Sequence, residues 1–453
     1  MGTGEWDGRP VVVAGAAVAG TAAARALLRR GAAVTVVDRQ PSATLDELAA
    51  EGATVVVAET APAGLFTGAR ELVVSPGFPP HHPLVKAAYA AGLEVYSEPE
   101  LAWRLRGPQA PPWLAVTGTN GKTTTVTMLA AILRAAGRRA AAVGNIGTAL
   151  VDLPPDAYEV LAVELSSQQL HWSHRLAPAA GAILNLAPDH LEWHGDFDAY
   201  VTAKTAIWRS GIAVGNLDDP RVARLLPAGG IGFTLRAPRA GQLGVVDGVL
   251  VDAVATEPVP LLEVAAVRPP GAHNVANALA AAALARWYGV PARAVADGLA
   301  GYQPEPHRNA PVATIDGVTW VDDSKATNPH AALASLSAYP RVVWVAGGQL
   351  KGVDVTDLVR QVADRLVGVV LLGVDRASLA AALARHAPRV PVVEVASTDD
   401  GAMGEVVRAA ATLAAPGDTV LLAPAAASRD MFSGYAARGE AFAAAVRAQG
   451  AGR

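Results

Sequence analysis

The stretch Trp113-Leu-Ala-Val-Thr-Gly-Thr-Asn-Gly-Lys-Thr-Thr124 holds residues whose types and spacing suit phosphate chemistry. It reads as a strand, a glycine turn and the start of a helix. In the turn Gly118-Thr119-Asn120-Gly121 the two glycines let backbone N–H groups face a phosphate, and the following helix N-terminus adds a positive dipole end. Lys122 is placed to reach the outer phosphates of a nucleotide, and Thr123 to hold magnesium. A strict phosphate loop carries glycine where this chain has Val116, so the loop is a variant. The competing reading is an ordinary glycine-rich turn, but Lys122-Thr123-Thr124 directly after Gly121 has no packing purpose.

A metal bound to phosphates needs further ligands. The apolar run Val160–Val163 ends in Glu164, at a strand tip that would face the same crevice. A solvated strand-end carboxylate is the plain alternative. A second run, Ala182-Ile-Leu-Asn-Leu, leads to Asp189-His190. Imidazole is a common metal ligand, although a lone histidine is more often structural. In the next helix Phe197, Tyr200, Val201, Ile207 and Trp208 form one apolar face, with Asp196 as a possible N-cap. Lys204 sits on that face, where a lysine is costly unless paired or chemically modified. Snorkelling from the edge of the face is the other possibility.

These groups need elements to position them. The length of 453 residues suggests about three domains. Proline-rich stretches at Gly107–Pro112 and Gln303–Pro306 act as connectors, giving segments 1–106, 107–305 and 306–453. Each segment alternates apolar β-branched runs with alanine-rich helical stretches (Val11–Ala14, Val34–Val37, Leu114–Val116, Leu161–Val163, Val342–Val345, Val369–Leu372, Val420–Leu422). That alternation predicts α/β folding with parallel sheets: Rossmann-like at both ends, with a P-loop-type ATPase domain in the centre. A net charge of −4 argues against a general nucleic-acid binder. The absence of cysteine removes thiol nucleophiles, zinc–cysteine sites and disulfides. Met1–Pro10 carries Glu5 and Asp7 and reads as no signal peptide. Val11–Ala24 is interrupted by Gly15 and Gly20 and is a poor membrane span, so a soluble cytoplasmic protein is expected.

The first segment opens with a strand, a turn from Gly15 to Gly20 and an acid, Asp38, 18 residues after Gly20. This pattern superficially suits a dinucleotide. Ala17, however, puts a methyl group where the middle glycine of that fingerprint admits a pyrophosphate. A diphosphate approaching the helix N-terminus from another direction and a purely structural turn both remain open.

Taken together, several motifs resemble the Mur ligases, which build the peptide stem of bacterial peptidoglycan, and the related folylpolyglutamate synthases. They are Thr117-Gly-Thr-Asn-Gly-Lys-Thr-Thr, Gly144-Asn-Ile-Gly, Glu164-Leu-Ser-Ser, Asp189-His190, Lys204, His273-Asn274-Val-Ala-Asn277, His307-Arg308 and Asp323-Ser-Lys-Ala-Thr-Asn-Pro. Further resemblance lies in the Val11–Gly20 turn with Asp38, in Ser75-Pro76-Gly77, and in Ser428-Arg-Asp-Met-Phe-Ser-Gly-Tyr435-Ala-Ala-Arg438-Gly439, and points to the D-glutamate-adding branch.

The resemblance implies an ATP-dependent ligase that activates a carboxylate as an acyl phosphate and joins it to an amine. It places ATP on Gly118, Thr119, Asn120, Gly121, Lys122, Thr123, Thr124, Asn274, Arg308 and Asp323. Two Mg2+ ions fall to Thr123, Glu164, His190 and Lys204, the lysine carrying carbon dioxide as a carbamate. Lys122, His190 and Lys204 become the catalytic set. The implied substrates are UDP-N-acetylmuramoyl-L-alanine, at Gly15, Val18, Ala19, Asp38, Arg39, Ser75, Gly77 and Asn145, and D-glutamate, at Thr327, Lys351, Ser428 and Tyr435. A monomer without a membrane span or nucleic-acid partner is expected. Ala17, Gln168 and Arg429 depart from the family pattern. A sister ligase or polyglutamate synthase adding another amino acid is the alternative; an NAD-dependent oxidoreductase rests on Val11–Asp38 alone, and a nucleotide-sensing module lacks catalysis.

Overall fold

A computed structural model describes residues 5–154, 156–209, 211–255, 257–399 and 401–451. Met1–Gly4, part of the N-terminal stretch considered above, lie outside the described residues. Among those described, the strands form three sheets of five, nine and six strands. By compactness the chain divides into two units. One holds 1–264 and 276–301, with the first two sheets; the other holds 265–275 and 302–453, with the third.

In the first sheet all strands are parallel, in the order Thr54–Val57, Ala33–Asp38, Pro10–Ala14, Glu71–Val74, Glu94–Tyr96. The order reverses beside Pro10–Ala14, which opens a crevice at that strand's C-terminal end. Helix Val18–Leu28 starts there, and its buried alanines with Leu27 pack against Val11, Val13, Val34 and Val36. Gly20 faces the carbonyl of Gly15 so closely that any Cβ would collide with it, which is the reason for glycine at the end of the turn.

The second sheet places Trp113–Thr117 between Val160–Glu164 and Ala180–Ile183, with Ala140–Gly144 and Ile212–Asn216 beyond. Val116 pairs with Glu164 across parallel strands, so Thr117 and Glu164 end side by side. The far edge departs from the all-parallel expectation: Gln242–Val246, Val249–Ala253 and Val259–Glu263 form antiparallel pairs. Short turns such as Asp247-Gly248 permit tight reversals without crossover helices.

The third sheet runs in the order Ala310–Ile315, Val318–Asp322, Thr419–Leu422, Val342–Gly347, Leu366–Leu372, Val392–Glu394. It is parallel except for its first pair. Trp344 and Leu371 lie in the core on one face, and Val345, Leu372 and Phe442 in the core on the other.

Candidate active site

The loop Gly118–Gly121 leads from the buried strand Trp113–Thr117 into helix Lys122–Ala135. Gly121 has φ +86°, and an added Cβ would collide with Asn277 Oδ1, so no other residue fits without strain. The loop is braced from one side by Asn185. Its Oδ1 accepts from Asn120 N (2.8 Å) and its Nδ2 donates to Asn120 O (3.1 Å). Thr119 Oγ1 accepts from Ala187 N at 2.9 Å and lies 2.8 Å from Tyr200 Oη. Lys122 folds over the loop, its Nζ donating to Gly118 O and Thr119 O at 2.9 Å each. Thr124, further along the helix, is buried.

Glu164 is 2% exposed. One of its oxygens accepts from Thr123 Oγ1 (2.7 Å) and the other from Asn145 Nδ2 (2.9 Å). The strand-end carboxylate is therefore not solvated but drawn into the loop. Hydroxyl and carboxylate oxygens in contact make a hard donor set that suits Mg2+.

Lys204 settles its own question: it is 2% exposed and does not snorkel. Asp196 caps its helix as expected, accepting from Ala199 N at 2.8 Å. Ile207 and Trp208 fall in the tighter turn Ala206–Trp208 beyond the helix end. The Lys204 ammonium position lies 2.8 Å from Gly118 O, 3.3 Å from Thr117 Oγ1 and 4.8 Å from the Tyr200 ring centroid. Burial holds its pKa well below 10.5, and the Lys122 charge pushes it further down; Asp189 and Glu164 oppose this incompletely. Burial and the Lys122 charge both favour the neutral amine over the ammonium.

His190 adopts a left-handed backbone (φ 52°) and leaves its side chain 48% exposed, with Nε2 3.8 Å from Asp189 Oδ2. It makes no hydrogen bond to Thr123, Glu164 or Lys204 among the described residues. Nor do three or more His, Cys, Asp or Glu side chains gather into a metal site there.

In the first sheet Asp38 braces the turn, its oxygens accepting from Ala16 N and Arg39 N at 2.7 Å each. Ser75 is buried against Gly15, while Val18, Arg39 and Gly77 are exposed and Ala19 is partly so. The turn Ser75–Gly77 is fastened to the second sheet's loops. Trp193 Nε1 donates to Pro76 O (3.0 Å) and Trp172 Nε1 to Phe78 O (3.3 Å). Glu100 is wholly buried and accepts from the backbone N–H groups of His174, Arg175 and Leu176 at 2.8–3.1 Å.

In the other unit Asn274 is buried, with Nδ2 donating to Pro270 O (3.2 Å) and lying 2.9 Å from His273 Nε2. Asp323 accepts from Asn309 N (3.1 Å), and burial raises its pKa to about 6 against the pull of Arg308. Ser428 is buried, Thr327 partly so, and Lys351 is exposed on a left-handed backbone (φ 54°). Tyr435 opens the helix Tyr435–Ala451, and Lys325 Nζ stands 4.0 Å over its ring.

Several supporting residues escape sequence reasoning. Asn185 had a signal, an amide within an apolar run, and Asn277 lay inside a quoted motif. Tyr200 read only as part of an apolar face, and Arg438 carried no signal beyond its place in a motif.

Three matches to known families cover these regions. Residues 9–97 match the Mur ligase MurD-like N-terminal domain, 116–285 the Mur ligase middle domain, and 307–426 the Mur ligase glutamate ligase domain. The chain belongs to the Mur ligase family. Among its relatives, the UDP-N-acetylmuramoylalanine–D-glutamate ligase of Thermobifida fusca is 57% identical, with 98% of this chain and 99% of that one covered. The ligase of the same name from Mycobacterium tuberculosis strain CDC 1551 is 51% identical, covering 97% and 96%. MurF from Acinetobacter baumannii shares the fold, with TM-score 0.61 at 18% identity, over 96% of this chain and 93% of that one.

Proposed function

We propose that this chain is the ATP-dependent ligase that adds D-glutamate to UDP-N-acetylmuramoyl-L-alanine in peptidoglycan precursor synthesis, acting as a cytoplasmic monomer. The reading is carried by one observation, the Lys122–Thr123–Glu164–Lys204 constellation around a phosphate loop, in a chain 57% identical to a relative bearing that name. Among the described residues no helix is long and apolar enough to cross a membrane.

A carboxylate is a poor electrophile, so ATP first converts it to an acyl phosphate. The chain's part in that transfer is positioning and charge neutralisation. The loop N–H groups and the helix N-terminus hold the phosphates, and Lys122 leaves its two carbonyl partners to meet the outer ones. Asn145, bonded to Glu164, orients the reacting carboxylate. In its neutral form, which burial favours, Lys204 attacks carbon dioxide: an N–C bond forms, a proton goes to water, and a carbamate anion results. Thr123, Glu164, His190 and that carbamate would hold Mg2+, which spreads the negative charge of the transferring phosphoryl group. Asn274, Arg308 and Asp323 hold the nucleotide's base and ribose. Thr327, Lys351, Ser428 and Tyr435 receive D-glutamate, whose unprotonated amine attacks the acyl carbon and expels phosphate.

The test is phosphate release across a panel of amino acids with UDP-N-acetylmuramoyl-L-alanine present. D-Glutamate should drive turnover. Turnover with L-alanine or a diamino acid in its place would defeat the assignment.

A further inference from the structure

The unit that holds Thr327, Lys351 and Ser428 buries an arginine that forms no ion pair among the described residues. Arg438 is 1% exposed. Its Nε donates to Ser324 Oγ (3.0 Å), Nη2 to Ser324 O (2.9 Å), and Nη1 to Ala426 O (3.1 Å) and Gly347 O (3.3 Å). Ser324 Oγ in turn donates to Tyr435 O at 2.8 Å. Burial pushes the Arg438 pKa down to about 10, only partly opposed by the charges of Asp430 and Asp322.

A buried cation bonded to neutral carbonyls is an expensive way to fill space, since an apolar side chain of similar volume avoids the desolvation. The guanidinium offers a rigid planar fork that fixes several acceptors at set angles. Those acceptors lie on three separate segments, Ser324 and Ala426 in loops and Gly347 at the end of strand Val342–Gly347, where the loop to Lys351 begins. Ser324 is three residues before Thr327, Gly347 four before Lys351, and Ala426 two before Ser428. The same loops are cross-tied by Ala425 N to Ala326 O (2.9 Å) and by reciprocal bonds between Gln349 and Ala427 (2.8 and 3.0 Å).

We propose that Arg438 is the positioning residue of the amino-acid pocket, its guanidinium fastening together the loops that carry Thr327, Lys351 and Ser428. The proposal rests on the assignment of those residues to the amino-acid substrate. Arg438 touches no reacting atom. A lysine there has a single ammonium centre and cannot reach all three loops at once, and a pocket loosened by about 1 Å loses much of its advantage.

The test uses full-length Arg438→Lys and Arg438→Ala, with KM measured for each substrate and the fold checked by circular dichroism melting. In both variants KM for D-glutamate should rise about 10-fold or more, while those for ATP and UDP-N-acetylmuramoyl-L-alanine stay within about two-fold. Guanidinium at millimolar concentration should lower the D-glutamate KM of Arg438→Ala and leave the wild type unchanged. An equal rise in all three KM values, a lower melting midpoint with KM unchanged, or no recovery in a folded Arg438→Ala overturns the proposal. If Arg438→Ala fails to fold, the KM split in Arg438→Lys decides alone. A wild type inactive with D-glutamate defeats the proposed function instead, and the split is then read on the amino acid it does use.

Discussion

Around the phosphate loop the chemical groups come from one short run of chain, Thr117–Thr124, plus side chains such as Glu164, Asn185 and Lys204 that reach it from neighbouring elements. Around the proposed amino-acid pocket, Thr327, Lys351 and Ser428 come from three loops far apart in sequence, and Tyr435 from the start of a helix. The first site is a property of local geometry: strand, glycine turn and helix start fix it wherever the sheet forms. The second exists only once the loops are bonded to each other, through backbone carbonyls and one guanidinium. The first should therefore fail in turnover when a side chain is lost, and the second in affinity for one substrate.

The sharpest break of this contrast is Lys122→Ala. It should lower kcat about 10²- to 10³-fold, as does loss of one transition-state donor, with the melting midpoint hardly moved. More than a tenth of wild-type phosphate release at saturating substrates would show that the loop does not work through this lysine. Lys204→Ala should lower kcat about 10²-fold or more, and acetate or formate should restore part of it by standing in for the carbamate. Rescue of Lys122→Ala by the same anions would show that they act elsewhere. Next comes Lys351→Ala, expected to raise KM for D-glutamate about 10- to 100-fold, the equivalent of one charge-assisted hydrogen bond. A collapse of kcat matching that of Lys122→Ala would erase the distinction between the two sites.

The smallest effect concerns charge. Both regions keep a buried group biased toward its neutral form, Lys204 as an amine and Asp323 as an acid. With its pKa raised from 3.8 to about 6, the folded chain keeps a proton on Asp323 that the unfolded chain releases. The stabilisation is full below about pH 4 and lost as pH rises through about 6. Asp323→Asn lacks this titration. Relative to the variant, the wild-type melting midpoint should drop between about pH 4 and pH 7; parallel curves would show that Asp323 is not buried in this way.

What was legible in the sequence follows the same division. The central strands of all three sheets, such as Val11–Ala14, Leu114–Val116 and Val342–Val345, show as apolar runs because parallel strands there are covered on both faces. Gly118, Gly121, Lys122 and Thr123 declare themselves, since few other purposes suit them. Lys204 was ambiguous, because a helical pattern cannot distinguish the centre of a buried face from its edge; only its 2% exposure decides. Asn185 and Tyr200 were missed as braces because their partners lie 65 and 81 residues away. The amino-acid pocket is proposed only through resemblance to a family, since no local pattern links residues 327, 351, 428 and 435. The antiparallel edge formed by Gln242–Val246, Val249–Ala253 and Val259–Glu263 was covered only by the general expectation of parallel sheets, since strand direction shows in the pairing and not in a single run.

The bonds between Trp193 and Pro76, Trp172 and Phe78, and Glu100 and the backbone of His174–Leu176 have a consequence for what the enzyme accepts. They fasten the turn proposed for the uridine end to the loops beside the phosphate site, within one compact unit. On that proposed assignment the chain would work as a gauge of fixed span. A substrate anchored by its nucleotide would have its far carboxylate delivered to Asn145, beside the phosphate loop, only if the intervening sugar and first residue have the right length. An acceptor one residue longer, or lacking its alanine, would bind by the same end and present its acid at the wrong mark.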